Sequence, residues 1–122
     1  MSEKEKSLGV WGEEQAARYL RRHGWRIAAR NFSVRQGEVD LIAEKGGVLA
    51  FVEVKLRRDD AFAEAREFVT AAKQRRIMTA ASLFLASNET DAQPRFDVIE
   101  VYAPAGEKTI FPKIVHIENA FM

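Results

Sequence analysis

Apolar residues recur along the chain at two different spacings, and the changes of spacing outline its elements. From Ser7 to His23 they recur at helical spacing, which predicts an amphipathic helix capped by Ser7 and ended by Gly24. The runs that follow are rich in branched and aromatic residues, as is typical of strands. The pattern predicts strands over Trp25–Val34, Gly37–Glu44, Val48–Leu56 and Arg95–Tyr102, a second helix over Phe68–Ala86, a short edge strand over Thr109–Ile117, and loops over Arg57–Arg66 and Ser87–Pro94.

The predicted order is helix, three-strand meander, helix and strand. This order implies an α/β fold in which a mixed central sheet is flanked by helices. A chain of 122 residues without an internal repeat or linker is expected to form a single domain over residues 1–122.

The Gly46-Gly47 pair between the second and third predicted strands is a tight-hairpin signal. If these strands pair antiparallel about it, Asp40, six residues before Gly46, lies level with Glu53, six residues after Gly47. Alternation places Lys55 on the same face as Glu53, at the end of a strand that otherwise has the pattern of a buried one. Because an ionised group in such a strand is costly unless paired or metal-bound, these three residues are the main chemical anomaly.

Two carboxylates at one level repel each other, and either a divalent cation or a lysine between them would relieve the repulsion. Carboxylate oxygens suit hard ions such as Mg²⁺ or Mn²⁺. Together with a lysine they are the groups that metal-assisted phosphodiester hydrolysis needs. On spacing alone, the alternative is a cross-strand salt-bridge cluster without chemistry.

The net charge of +1 conceals a clustered distribution of basic residues. The stretch from Gln15 to Gly37 contains six arginines and no acidic residue, and further basic groups follow at 55–58 and 73–76. Guanidinium groups suit phosphate because their planar fork makes two parallel hydrogen bonds. A solvated basic surface is the alternative.

The chain contains no cysteine, which excludes disulfides and thiolate metal sites and fits a reducing cytoplasm, where we expect the protein. The first ten residues have no apolar core of a secretory signal, so we expect none. No apolar run approaches the roughly 20 residues of a membrane helix, so we expect no membrane partner.

The motifs around these residues carry a family resemblance. Asp40 followed on the next strand by Glu53-Val54-Lys55 resembles the signature of the PD-(D/E)XK nuclease superfamily. The chain more closely resembles the YraN-like family of uncharacterised bacterial proteins, which is in turn similar to archaeal-type Holliday-junction resolvases. The matching pieces span residues 8–100: Gly9-Val-Trp-Gly12-Glu13 with Ala16, Tyr19-Leu20 and Gly24; Arg30-Asn31-Phe32; Gly37-Glu38-Val39-Asp40-Leu41-Ile42-Ala43; Phe51-Val52-Glu53-Val54-Lys55; Lys73-Gln74-Arg75-Arg76; and Arg95-Phe96-Asp97-Val98.

One residue departs from the family's pattern. Leu56 stands after the lysine, where a small hydroxylic residue is frequent. A hydroxyl contact to phosphate is therefore not expected at this position.

The resemblance implies a restriction-endonuclease-like αβββαβ core and roles for individual residues. Asp40 and Glu53 would hold Mg²⁺ or Mn²⁺ with the Val54 carbonyl, and Lys55 would activate the attacking water or stabilise the transition state. Glu13 matches an acidic residue on the first helix of the resolvases. The helical wheel supports Glu13 over Glu14, because Glu13 borders the apolar face and Glu14 can pair with Arg18.

The remaining assignments concern nucleic acid and two further acids. Candidate contacts to nucleic acid are Arg30, Arg35, Arg57, Arg58, Lys73, Gln74 and Arg76. A solvated helix face remains an alternative for those on the second helix. Glu38 is either a supporting carboxylate or simply exposed, and Asp97 is expected to pair with Arg95 or a loop amide rather than to bind metal.

The sequence thus predicts a Mg²⁺- or Mn²⁺-dependent endonuclease that acts on nucleic acid, with DNA, including branched DNA, favoured. A homodimer is implied by resemblance only, since a four-way junction has two-fold symmetry. The alternatives are a nucleic-acid-binding module without turnover and a protein-interaction domain whose charged cluster is purely structural.

Overall fold

The computed structural model describes residues 3–58 and 69–121, and its elements follow the predicted order. They are α1 (Glu3–Arg22), β1 (Arg26–Val34), β2 (Gly37–Lys45), β3 (Val48–Arg57), α2 (Ala71–Ser87), β4 (Gln93–Tyr102) and β5 (Lys113–Phe121), with a 3-10 turn at Gly106–Lys108. The strands form one sheet in the order β1-β2-β3-β4-β5; β3 and β4 are parallel and the other neighbours are antiparallel. The predicted α/β fold with a mixed sheet is confirmed, and it is compatible with a restriction-endonuclease-like core.

The hairpin of β2 and β3 has the predicted register. Gly46 and Gly47 have φ angles of 54° and 79°, a left-handed turn that glycine adopts without steric cost. The ladder runs from Lys45↔Val48 to Leu41↔Val52. Continued by one pair, this register puts Asp40 opposite Glu53.

The first helix begins earlier than its sequence pattern suggests. It starts at Glu3, and Ser7 lies inside it, where its hydroxyl donates to the Glu107 carboxylate at 3.1 Å instead of capping the helix. The predicted end is correct. Gly24 has a φ of 88°, and the Trp25 N–H returns to the Leu20 carbonyl at 2.9 Å.

The second helix begins later than predicted. Thr70 caps it by accepting the Lys73 N–H at 3.1 Å, so the first helical residue is Ala71. The predicted start at Phe68 and most of the predicted loop over 57–66 lie outside the described residues.

The edge strand is displaced from its predicted range. It begins at Lys113, after Pro112, and continues to Phe121. Proline has no N–H to donate to the ladder, which explains why pairing with β4 starts only beyond it.

The sheet has an apolar cluster on each face. On one face Ala16, Ala17 and Leu20 of α1 pack on Leu41, Ala50, Val52 and Ile99 of the sheet. On the other face Ile77 and Ala80 of α2 pack on Ile42, Leu49, Phe51 and Val98. Because side chains alternate between the two faces along β3, Glu53 lies on the same face as Leu49 and Phe51, the face covered by α2.

No helix in the described parts of the chain is long and apolar enough to span a bilayer.

Candidate functional site

Asp40 and Glu53 meet where β2 and β3 run out of their ladder. The Val54 N–H donates to Asp40 Oδ2 at 2.8 Å, which holds that carboxyl group against β3. Glu53 is only 6% exposed, and its carboxyl group lies close enough to that of Asp40 for each to shift the pKa of the other. The hairpin thus brings together the two carboxyl groups that the sequence paired.

Burial and mutual repulsion make this pair reluctant to ionise. Burial raises the pKa of Asp40, and burial followed by the Asp40 charge raises the pKa of Glu53 to about 8. The raised pKa of Glu53 favours the protonated form of this carboxyl group near neutral pH. A cation placed between them would replace that proton, which is the behaviour of a carboxylate metal site.

The ammonium group nearest to this pair belongs to Lys73. Its Nζ lies 3.5 Å from Glu53 Oε2 and 3.7 Å from Glu38 Oε1. Lys55 also favours ionisation of Glu53, but less than Lys73 does. Of the two lysines, only Lys73 is among the causes that lower the pKa of Asp40. Sequence reasoning assigned Lys73 to nucleic acid and had no signal for its contact with the acids, because that contact depends on where α2 packs.

Glu13 approaches the same acids from α1. Burial, followed by the Asp40 charge, raises the pKa of its carboxyl group, while a hydrogen bond to the Asn31 side chain and the Arg30 charge act in the opposite sense. Asn31 has a φ of 50°, a left-handed conformation that asparagine tolerates better than most residues. Glu14 instead faces outward and pairs with Arg18 at 3.0 Å, as the helical wheel indicates.

Glu38 is neither simply exposed nor a buried support. Its side chain is 45% exposed and pairs with Lys73 and, at 3.5 Å, with Arg76. It therefore forms the solvent-facing rim of the acidic cluster, which we define as Glu13, Glu38, Asp40 and Glu53.

The residues proposed to contact nucleic acid have different surroundings. Arg35 in the β1–β2 turn and Arg58 after β3 are exposed. Arg30 pairs with Glu14 at 2.9 Å, Arg76 with Glu38, and the Gln74 side chain donates to the Val69 carbonyl at 2.9 Å. These assignments stay predictions.

Arg57 belongs to a buried polar group that the sequence analysis missed. Its Nε donates to Glu100 Oε2 at 2.9 Å, and the Tyr102 hydroxyl donates to Glu100 Oε1 at 3.1 Å. Glu100 is 1% exposed and lies beside Lys55 in the parallel ladder. The available signal was a glutamate within the apolar run of β4, the same anomaly that singled out Glu53.

Asp97 fulfils its predicted role as a paired carboxylate. It accepts two hydrogen bonds from Arg95 at 2.9 Å and one from the Asn119 N–H at 3.0 Å. It also contacts His116 Nε2 at 2.8 Å, a partner that the sequence did not suggest. Asp97 therefore ties β5 to β4 and stands apart from the acidic cluster.

The donor chemistry of the acidic cluster fits a divalent cation. Asp40 and Glu53 supply oxygens that suit Mg²⁺ or Mn²⁺, and their mutual repulsion is the conflict that a cation relieves. Within residues 3–58 and 69–121 no group of three or more His, Cys, Asp and Glu side chains is arranged to hold a metal. A divalent cation at this site would therefore be held by these two carboxylates together with oxygens that do not belong to side chains, such as backbone carbonyl oxygens.

Fold and site together define an α/β domain with a paired-carboxylate cluster at the end of a β-hairpin in a mixed sheet. The chain belongs to the Uncharacterised protein family UPF0102, whose sequence model matches residues 12–101. It is 53% identical over 115 residues to a UPF0102 protein of Symbiobacterium thermophilum, covering 93% of this chain and 95% of that relative. It is 44% identical over 122 residues to one of Geobacter metallireducens, covering 99% and 97%.

Proposed function

We propose that the protein is a Mg²⁺- or Mn²⁺-dependent nuclease that hydrolyses phosphodiester bonds in nucleic acid, with DNA, including branched DNA, as the favoured substrate. The observation that carries the proposal is the buried pair of Asp40 and Glu53, with Asp40 held against β3 by the Val54 N–H at 2.8 Å and with the pKa of Glu53 raised to about 8. Among the described residues Lys73, 3.5 Å from Glu53, is the one cation that forms an ion pair with these two carboxyl groups, and it does not offset the effect of burial on their pKa values. Strongly perturbed carboxyl groups of this kind are typical of functional sites.

In this proposal Asp40 and Glu53 hold the cation, with the Val54 carbonyl as a further oxygen ligand. When bound, the metal would polarise the scissile phosphate and lower the pKa of a water molecule. Lys55 would orient that water or stabilise negative charge on the phosphate, since its ammonium group already acts on Glu53. Glu13 would border the metal site on the side that faces α1.

The experiment is a cleavage assay with branched and linear DNA in Mn²⁺, comparing wild type with Asp40→Asn. We expect the substitution to lower the cleavage rate by at least about 100-fold, because the electrostatic contribution of a bound cation is lost. Glu44→Gln is the matched control: Glu44 lies near the hairpin end of β2, pairs with Arg26, which has no proposed role, and should leave cleavage unchanged. Equal cleavage by Asp40→Asn and wild type would overturn the proposal.

A nucleic-acid-binding module without turnover is the second candidate. Two observations favour it: Lys73 already neutralises part of the cluster, and no three-ligand group occurs in the described residues. Salt-dependent DNA binding with no metal-dependent cleavage would establish this candidate. A third reading, a purely structural cluster, requires that calorimetric titration with Mn²⁺ detects no binding.

Two further expectations accompany the proposal. The resemblance to junction resolvases suggests a homodimer, which light scattering of the purified chain tests by its mass. The absence of cysteine fits work in the cytoplasm, which fractionation of cells that produce the protein tests.

A further inference from the structure

We propose that Lys73 is the resident counter-cation of the acidic cluster, and that a divalent cation must displace it in order to bind Asp40 and Glu53. The inference rests on the proposed metal site and adds a residue that sets the affinity of that site. It starts from the ion pairs of Lys73, whose Nζ lies between Glu53 at 3.5 Å and Glu38 at 3.7 Å.

The position of Lys73 is fixed by its backbone and not by its side chain. Its N–H is held by the Thr70 cap in the first turn of α2. One turn further along, the backbone of α2 packs directly on Gly37 of β2: an added Cβ there would collide with the Arg76 carbonyl oxygen and approach Ala80 N to 3.0 Å. The helix therefore holds the base of the lysine stem beside the strand that carries Asp40.

The ammonium end, in contrast, is able to leave. The Lys73 side chain is 34% exposed, and a lysine stem has several rotatable bonds with a compact, strongly hydrated charge at its tip. A cation that arrives at the two carboxylates would repel the ammonium and would take over the oxygens that now attract it. Lys73 can then turn into solvent without any movement of α2.

This arrangement also explains why the described acids do not form a ready three-ligand group. Glu38 and Glu53 are turned toward the lysine, and Asp40 toward the Val54 N–H. In this state the ammonium group of Lys73 is the cation that forms an ion pair with Glu53. Metal uptake would replace that ammonium group by a divalent charge.

The test is calorimetric titration of the full chain with MnCl₂ near pH 7.5, comparing wild type with Lys73→Met. We expect Lys73→Met to bind Mn²⁺ about tenfold more tightly, because a competing positive charge has been removed. Lys73→Arg keeps the charge and should stay within about threefold of wild type.

Arg76→Met is the matched control. It removes the same charge from the same helix, but Arg76 reaches only Glu38 among the described acids, and its side chain is 48% exposed. We expect its Mn²⁺ affinity to stay within about threefold of wild type, because solvent screens a more distant charge.

The outcomes separate this inference from the proposed function. If wild type binds Mn²⁺ and Lys73→Met binds it equally well, or if Arg76→Met tightens binding as much as Lys73→Met, the counter-cation role is wrong and the metal site stands. If neither wild type nor Lys73→Met binds Mn²⁺, the metal site itself is wrong, and the inference falls with it.

Discussion

Single carboxyl groups in this protein occupy two opposite electrostatic environments. Burial, followed by the Asp40 charge, raises the pKa of Glu53. Burial would also raise the pKa of Asp97, but hydrogen bonds from His116, Arg95 and the Asn119 N–H outweigh it and lower the pKa of that group. The first environment opposes ionisation of the carboxyl group, and the second favours it and contributes to stability.

Replacement of Asp97 by asparagine should therefore destabilise the fold. Asp97 is fully buried, and its replacement leaves Arg95 with only the more distant and exposed Glu118 carboxylate, at 3.5 Å, so we expect a loss of about 3 kcal/mol in the free energy of unfolding near pH 7. Urea unfolding measures the loss. Asp91→Asn, at an exposed loop position, is the control and should change the free energy by less than about 0.5 kcal/mol.

The same substitution has a defined pH dependence. Because folding lowers the pKa of Asp97, its contribution to stability is present above its unfolded pKa of about 3.9 and is lost as pH falls through the folded pKa. The difference between wild type and Asp97→Asn should accordingly shrink in strongly acidic urea titrations. A difference independent of pH would contradict the ion-pair assignment.

At the scale of elements, the packing of α2 on β2 decides whether Lys73 reaches the acids. Gly37 is the residue that permits this packing, since a side chain there has no room against the backbone of α2. Glycine is needed at position 37 because the backbone of α2 comes close to it, and not because of a turn, since Gly37 begins a regular strand.

We expect Gly37→Ala to lower the free energy of unfolding by about 2 kcal/mol, because the helix must shift away from the strand. Gly9→Ala is the matched control: Gly9 lies within α1, and an added Cβ there meets nothing within 4 Å. Because alanine favours helix, that control should stabilise by about 0.5–1 kcal/mol. Thermal unfolding of the two variants compares them directly, and equal stabilities would contradict the close contact.

At the scale of the whole molecule, two exposed arginines flank the acidic cluster at one end of the sheet. Arg35 lies in the turn that precedes β2, and Arg58 follows β3, so both lie at the end that carries Asp40 and Glu53. Neither forms an ion pair with any residue that the structure describes. If the protein acts on nucleic acid as proposed, these two arginines are candidates for contacts to the phosphate backbone.

We expect the double substitution Arg35→Ala and Arg58→Ala to weaken DNA binding and to reduce the slope of log affinity against log salt by about 1–2, as expected when one or two phosphate contacts are lost. Fluorescence anisotropy over a range of salt concentrations measures both effects. Arg21→Ala with Arg22→Ala removes the same charge at the end of α1, where β1 begins, and should have the smaller effect. If the Arg21 and Arg22 substitutions weakened DNA binding more than the Arg35 and Arg58 substitutions, the DNA-binding surface would lie elsewhere.

The sequence by itself determined the order of the elements and the meeting of Asp40 with Glu53. Both follow from local rules: the alternation of side chains along a strand, and a two-glycine turn that sets the register of two adjacent strands. For the same reason the pairing of Asp97 with Arg95, two residues away, was predictable.

Only the tertiary structure decided which other groups surround that pair. Lys73 and the Arg57–Glu100 ion pair reach their places through helix packing and through the parallel pairing of β3 with β4. Those contacts join residues far apart in the chain, and they depend on details such as the missing side chain of Gly37. Local pattern places two acids opposite each other, whereas the packing of helices on the sheet decides which cation neutralises them.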